Sequence, residues 1–398
     1  MNMTAALPGT TGITTVPATP VAPAIDFLYL SESDMIAAGV TDIARCVDVM
    51  EETLVLLARG DYMMAGPNSN SHGAMVTFPE KPAFPGMPAD GPDRRFMAMP
   101  AYLGGRFNNT GVKWYGSNAE NRRHGLPRSI HVFVLNDTVT GAPKAIMSAN
   151  LLSAYRTGAV PGVGVKLLAV ENATTAAVIG PGVMSRTILD ATLAVRPGIG
   201  RLRIKGRSAA SIRRYIEWVR ENHPQISHIE VVDTEREAVH DADVVIAATT
   251  TDAAGPETFP YFAQEWLKPG ALLLLPAAAR FDDAFIRDGA RLVVDYHGLY
   301  DAWHEEYGPA EAYRLLGIPG NHWWDMLADG SLSGNRIHQI GDIAAGETPA
   351  RISDDEIILY SVGGMPVEDV AWATEVYGTA RDRGIGTMLN LWDTPALS

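Results

Sequence analysis

The sequence predicts an α/β protein built from a Rossmann-type, doubly wound parallel sheet and a smaller α+β domain. Three observations carry this. Between Thr174 and Arg186 the run TTAAVIGPGVMSR passes from apolar residues through Gly-Pro-Gly into a helix-like segment. Beyond it, short β-branched or leucine-rich runs alternate with helical periodicity as far as Asp295. Before it, from Arg95 to Ala149, strand-like runs follow one another with only short turns between them. Alternation forces a parallel sheet with helices on both faces, whereas strands joined by turns give an antiparallel or mixed sheet.

The chain opens with about two dozen residues rich in Thr, Pro, Ala and Gly. Residues 1–25 are expected to be a disordered tail, lacking the basic stretch and apolar core of a signal peptide. From Asp42 to Arg59, Ile43, Val47, Met50, Leu54 and Leu57 recur at steps of three and four, an amphipathic helix in which Cys46 packs. Pro67 to Asp93 is dense in Pro and Gly and reads as an extended excursion with a strand near Ala74 to Phe78. The runs RFMAMP, GVKWYG, SIHVFVLND and PKAIMSA then form the sheet of the first domain.

After the glycine turn come the strands RLRIKG, HIEVVD, DVVIAATT, ALLLLPA and ARLVVD. A ligand crevice in such a sheet lies beyond the carboxyl ends of the strands. Glycines there let the backbone approach a pyrophosphate, and the free N–H groups of the helix start face it. Gly180, Gly182, Val183 and Met184 are the candidates at the turn, and Ala248 and Thr249 at the end of the fourth strand. Ser185 stands where a third glycine would complete GxGxxG. At the end of the second strand no carboxylate is present to meet ribose hydroxyls; Lys205, Arg207 and Ser208 stand there instead. Such a set suits a 2′-phosphate and favours NADP(H) over NAD(H), the alternative being a solvated rim of cations.

Composition limits the partners. A net charge of −14 over 398 residues argues against a nucleic-acid or anionic-membrane surface. The single cysteine leaves no intrachain disulfide and suits a reducing cytoplasm. No run has the length of a membrane span. Lys113, in GVKWYG, and Arg156, just before the nucleotide-binding part, flank the first domain and are the kind of cations that hold a substrate carboxylate between domains.

Several motifs occur in register: MPAYLGG (99–105), GVKW (111–114), GLPRS (125–129), VLNDTVTGAP (134–143), AYRTGA (154–159), VIGPGV (178–183) and GMPVEDVAWATEVYGTARDRGIG near the end. In this order and spacing the chain closely resembles the ornithine cyclodeaminase/mu-crystallin family. The resemblance implies a two-domain enzyme, a homodimer in the cytoplasm, with a nicotinamide cofactor in the Rossmann domain. A small amino-acid or imino-acid substrate would lie in the cleft, its carboxylate gripped by Lys113 and Arg156. It further implies a substrate-binding and dimerisation domain of residues 26–158 and 340–398, around a cofactor domain of 159–339.

Departures from the family pattern bear on the reaction. Cyclodeaminases carry GGDxPGKTE after the fifth strand, its aspartate handling amine protons; here LLLLPAAARFDDAF has no aspartate in that place. The stretch is closer to that of N-(2-amino-2-carboxyethyl)-glutamate dehydrogenase-like members, with Arg280 and Asp282 nearby. Asp282 is the candidate acid/base. The usual first-domain arginine is absent from NSNSHGAMVTF, where His72 is the nearest candidate for substrate binding. The resulting expectation is an oxidoreductase acting on the C–N bond of an amino acid or its imine. A cyclodeaminase-type lyase that recycles its cofactor and a non-catalytic ligand-binding protein are the alternatives.

An insertion at 296–330 is expected to cover the cleft or the dimer partner, with Trp303, Trp323 and Trp324 packed within it. Asp295, His297, Asp301 and His304 match no standard zinc spacing, so no metal is expected. The last helix is predicted from Pro366 to Gly384, with Glu368 and Asp369 complementing its dipole.

Overall fold

The computed structural model describes residues 24–249 and 255–397. The expected N-terminal tail lies almost wholly outside the described residues; Ile25, assigned to it, already belongs to the first strand.

The first domain is a mixed sheet of eight strands with helices on its inner face. Its elements are β1 (Ile25–Leu30), α1 (Glu32–Ala37), α2 (Ile43–Ala58), β2 (Tyr62–Met64), β3 (Ala74–Thr77), β4 (Arg95–Leu103), β5 (Asn109–Ser117), β6 (Ser129–Asp137), β7 (Pro143–Ser148) and α3 (Asn150–Leu168). The strand order is β16-β1-β7-β6-β5-β4-β2, with β3 also on β4, where β16 (Thr387–Trp392) returns from the C terminus. Asp42 caps α2, accepting from the Arg45 N–H at 3.1 Å. Strict alternation along β5 buries Asn109, Gly111, Lys113, Tyr115 and Ser117 on the inner face and turns Trp114 outward. The pairing of β4 with β5 sets Met99 opposite Lys113.

The second sheet is entirely parallel. It comprises β8 (Thr175–Ile179), α4 (Val183–Val195), β9 (Arg201–Lys205), α5 (Ala209–Asn222), β10 (His228–Val231), α6 (Glu235–Val239), β11 (Val244–Ala247), β12 (Leu272–Leu275), β13 (Arg291–Val294), α7 (His297–Tyr307), α8 (Glu311–Leu316), α9 (Pro319–Ala328), β14 (Ile337–Gln339), α10 (Ile340–Ala344) and β15 (Ile358–Ser361). The order is β10-β9-β8-β11-β12-β15-β13-β14. From β8 the chain builds β9 and β10 to one side, then crosses to β11 on the other. The strand order therefore reverses beside Gly180, which is where such folds hold a ligand. The inner strands β8, β11, β12, β13 and β15 are buried along their whole length, as strands covered on both faces must be.

Three expectations need correcting. The strand β15, ILYS, lies between β12 and β13, so residues 340–398 do not all return to the first domain. Its continuous burial is the signature of a central parallel strand. The boundary expected between residues 158 and 159 falls inside α3, an unbroken helix that joins the domains. Gly158 and Gly162 let α3 approach α4 closely: a Cβ at these positions would lie 2.5 Å from Thr187 and 2.7 Å from Ala191. Finally, the strand–helix alternation predicts a short helix between β11 and β12, and among the described residues that segment forms 3₁₀ turns at Pro256–Thr258 and Gln264–Trp266.

The last helix, α11 (Pro366–Arg383), starts and stops where predicted, ending in Gly384 with left-handed backbone. Pro366 through Ala373 are all buried. A helix buried all round its first two turns must neutralise any charge it carries there.

Candidate active site

Inward strand positions, the middle of α3 and the first turn of α11 bring four charged side chains together beneath the junction of the two sheets. Lys113 Nζ donates to Asp369 Oδ2 at 2.8 Å and to Ser153 Oγ at 3.1 Å. Arg156 donates from Nε to Asp369 Oδ1 at 2.9 Å and from Nη1 to Glu368 Oε2 at 2.6 Å. Glu368 and Asp369 are 0% exposed, Lys113 2% and Arg156 4%. Asp369 thus uses one oxygen for each cation and fixes their separation. Arg156 Nη2 and the third Lys113 N–H are left over for a ligand.

The same cluster takes in His72 and Asp295. His72 Nδ1 lies 2.8 Å from the Gly364 carbonyl and donates to it. Asp295, just past β13, accepts from the N–H groups of Gly363 at 2.6 Å, Gly364 at 3.0 Å and Tyr296 at 2.9 Å. Gly364 has φ +73°, and a Cβ there would stand 2.8 Å from Arg156 Nη1. That turn can therefore carry no side chain without strain and crowding of the guanidinium.

Burial and mutual charge tune these groups. Burial, then the nearby Arg156, pulls Lys113 down to about 8. Burial, then Lys113 and Arg156, pulls His72 down to about 4, so it is neutral. Burial lifts Asp295 to about 6 against its three backbone donors. Burial lifts Glu368 to about 7 despite Arg156, with Asp295 and Asp369 adding to the rise. Burial also pushes Asp369 up, but Arg156 and Lys113 outweigh it and hold this carboxyl below its ordinary range.

Of the residues singled out from sequence, Lys113, Arg156 and His72 come together here. Asp282 does not join them. It is exposed and accepts a hydrogen bond from Tyr261 Oη at 2.6 Å, and the cluster's own carboxylates are Asp295, Glu368 and Asp369. From sequence Asp295 is weighed only as a metal ligand, and Glu368 and Asp369 only as partners of a helix dipole; none of the three is assigned to the substrate site. The signal was present in VEDVAWA: two adjacent acids within an otherwise apolar helical run cannot both reach solvent.

The glycine turn fits a dinucleotide. Gly180 has φ +90°, and a Cβ there would lie 2.6 Å from the Ala248 carbonyl. Ser185 replaces the third glycine by tying the turn: its hydroxyl accepts from Gly182 N–H and donates to Gly180 O, both at 2.8 Å. Val183 and Met184 stand exposed at the start of α4. Thr249 Oγ1, buried at the end of β11, has no partner among the described residues. At the end of β9, Lys205 is already paired with Glu235, and Ser208 caps α5 by accepting from Ser211 N–H at 3.4 Å. Arg207 makes no hydrogen bond or ion pair among the described residues. Of the two cations there, Arg207 alone is left without a partner among the described residues.

The insertion closes over the cluster. Trp303 of α7 sits 5.7 Å from the His72 ring, centroid to centroid. Tyr62 Oη donates to Tyr296 Oη at 2.8 Å, and Asn68 donates to Glu305 at 2.7 Å, joining the excursion to α7. Trp323 and Trp324 are buried, the latter donating to Asp301 at 2.7 Å. Asp295, Asp301 and His304 face different partners, His304 lying 3.5 Å from Asp325. Among the described residues no helix is long and apolar enough to cross a membrane.

A dinucleotide-type sheet joined to a mixed-sheet domain, with buried paired cations at their junction, defines the class of two-domain nucleotide-dependent proteins with a charged cleft. The chain belongs to the ornithine cyclodeaminase/mu-crystallin family, whose model matches residues 39–384. Among curated relatives, N-((2S)-2-amino-2-carboxyethyl)-L-glutamate dehydrogenase of Staphylococcus aureus is 29% identical over 371 residues, 92% of this chain and 99% of that one. A Δ¹-pyrroline-2-carboxylate reductase of Bacillus cereus is 29% identical over 67% of this chain and 76% of its own length. The fold is shared with Thermococcus litoralis Δ¹-pyrroline-2-carboxylate reductase, solved with NADH and L-proline, at a TM-score of 0.71 and 24% identity over 91% of this chain and 99% of that one. It is shared equally with an archaeal alanine dehydrogenase dimer with bound NAD, at 0.71 and 24% over 92% and 100%.

Proposed function

We propose that this protein is a nicotinamide-dependent oxidoreductase that reduces the C=N bond of an α-imino acid, or oxidises the corresponding amino acid. The single observation behind this is the Lys113–Asp369–Arg156 unit. It presents spare donors of two buried cations where strand ends of the dinucleotide-type sheet meet the first domain. The names of the relatives, dehydrogenases and reductases of amino acids and imines, point the same way.

When bound, the nicotinamide would supply or accept the hydride, with its pyrophosphate over Gly180, Gly182 and the N-terminus of α4. The chain's own residues do the rest. Lys113 and Arg156 anchor the substrate carboxylate, Asp369 holds both at fixed spacing, neutral His72 lines the site, and α7 excludes water. NADP(H) is the preferred cofactor, a reading that rests on unpaired Arg207 and is weakened by the diversion of Lys205 to Glu235.

A homodimer is supported by the outer face of the first sheet, where Phe96, Trp114 and Ile130 are 41%, 42% and 51% exposed. A cavity of about 680 Å³ opens among these residues. Sedimentation of the full chain tests this.

The functional test is loss of reduced-nicotinamide absorbance with NADPH and NADH in parallel, against cyclic imino acids and against 2-oxo acids mixed with amines. Stoichiometric oxidation supports the reading and names the cofactor. Ammonia release from ornithine without net oxidation would assign a cyclodeaminase instead, and inertness with tight nucleotide binding would assign a binding protein.

A further inference from the structure

The cluster holds three buried carboxylates, and their oxygens are not equally committed. Both oxygens of Asp369 accept from cations. Both oxygens of Asp295 accept backbone N–H groups. Glu368 gives Oε2 to Arg156 and leaves Oε1 buried with no hydrogen-bond partner. A buried, unpaired carboxyl oxygen costs on the order of 1–3 kcal/mol and persists where something else repays it. The aspartate expected to handle amine protons is missing after β12, and Asp282 is turned out to Tyr261. The molecule therefore has a reaction that needs a proton group and an acid with an unused oxygen beside the carboxylate anchors.

We propose that Glu368, through Oε1, gives and takes the proton of the substrate nitrogen. The proposal rests on the oxidoreductase reading above. In the reductive direction the Glu368 carboxyl passes its proton to the imine nitrogen while Cα gains a hydride, the C=N π bond becoming the new N–H bond. The two electrons come from the reduced nicotinamide, which leaves oxidised, and the carboxylate recovers a proton from solvent. In the oxidative direction each transfer reverses.

Geometry gives the nitrogen its place. A ligand carboxylate on the spare donors of Lys113 and Arg156 brings its α-nitrogen beside the guanidinium that Glu368 already touches. The absence of a side chain at Gly364 leaves room there, since a Cβ would lie 2.8 Å from Arg156 Nη1 and 3.7 Å from Glu368 Oε2. Charge agrees. Lys113 and Arg156 are balanced by Asp369 and Glu368, so a third carboxylate, the ligand's, is accommodated when the ligand brings a protonated nitrogen or when Glu368 is itself protonated. Burial sets Glu368 near 7, the range in which a group both donates and accepts efficiently. The groups around it are Arg156 on α3, Lys113 on β5, Asp295 after β13, Tyr360 on β15, Cys46 on α2 and Asp369 on its own helix. Of these only the two cations favour ionisation.

The experiment compares wild type with Glu368→Gln and Glu368→Asp. Its first readout needs no turnover: infrared difference spectra between low and high pH. The wild type is expected to show buried carboxylic-acid C=O absorption with one component titrating near 6, from Asp295, and one near 7 that is absent in Glu368→Gln. The second readout is the pH profile of nicotinamide oxidation with Δ¹-pyrroline-2-carboxylate and the rest of the imine panel. Glu368→Gln should lose ~10²-fold or more in kcat while nucleotide binding, read by fluorescence, stays intact. Glu368→Asp should recover part of the rate with a shifted profile. If the wild type is active and Glu368→Gln keeps its rate and profile, the role is wrong. The role is also wrong if Glu368→Gln keeps the component titrating near 7, which lies above the Asp295 component near 6. If the wild type oxidises reduced nicotinamide with no substrate of the panel, the oxidoreductase reading itself fails and this inference falls with it.

Discussion

Asp369 accepts from Lys113 Nζ at 2.8 Å through one oxygen and from Arg156 Nε at 2.9 Å through the other, so a single carboxylate sets the spacing of two cations drawn from different elements. The arrangement is stable because each buried charge has a partner. Removing the shared one leaves both cations uncompensated. Asp369→Ala is expected to cost about 3–5 kcal/mol in urea unfolding, the range for breaking a buried pair. Asp369→Asn, which keeps the shape but not the charge, should fold better yet raise KM for any carboxylate substrate. Equal KM values in Asp369→Asn and wild type would show that the bridge does not position the anchors.

Lys113→Ala tests the anchor directly. Turnover is expected to fall below detection while nucleotide affinity is unchanged, because Lys113 sits on the first sheet and the glycine turn on the second. Loss of both would mean that the cluster holds the domains together rather than the substrate. Unfolding midpoints would then fall in parallel.

Much of this is legible in the sequence alone. The glycine turn, the alternation that makes the parallel sheet, the amphipathic helix after Asp42 and both ends of α11 follow from local signals. Lys113 and Arg156 stand out as cations flanking the first domain, and the motifs GVKW and AYRTGA that hold them carry the family resemblance. The acids were not, because Glu368 and Asp369 in a first helical turn already have a sufficient local explanation in the helix dipole. Only tertiary burial shows that explanation to be incomplete. Strand β15 was missed for a related reason: ILYS is too short to stand out, and its place between β12 and β13 is a long-range pairing that no local pattern encodes. Lys205 reads as a free cation from the sequence because its partner, Glu235, lies 30 residues further on, at the start of α6.

The glycine turn makes a sharper prediction. Gly180→Ala places a methyl group 2.6 Å from the Ala248 carbonyl in backbone that L residues rarely adopt. Nucleotide affinity should drop at least ~10-fold, about 1.4 kcal/mol, with little change in binding of an amino-acid ligand to the first domain. Fluorescence titration with NADPH and NADH measures it, and unchanged affinity would remove this turn from the cofactor site.

The cofactor preference turns on one side chain. Arg207→Ala should reduce the ratio of kcat/KM for NADPH over NADH, and do so through KM. Glu235→Gln should move the same ratio the other way by freeing Lys205 from its partner. If Arg207→Ala leaves the ratio unchanged, the cation is part of a solvated rim.

The raised acids give stability a definite pH dependence. In Glu368 the folded carboxyl, near 7, holds its proton more tightly than the unfolded one at its ordinary value of 4.5. The folded state therefore binds more protons between these values, and this group's stabilising contribution is complete below about 4.5 and lost as pH rises through about 7. Asp295, raised to about 6 from 3.8, acts in the same direction over a lower window. His72 opposes them, since its pKa is lowered to about 4 and its contribution is present above 6.5 and lost as pH falls through 4. Glu368→Gln removes one component alone. Relative to wild type the variant should gain stability between pH 5 and pH 8, by at most roughly 3 kcal/mol. Urea midpoints of the two proteins at both pH values decide it: a difference that stays constant across the range would place the Glu368 carboxyl at its unfolded value and leave it ionised throughout.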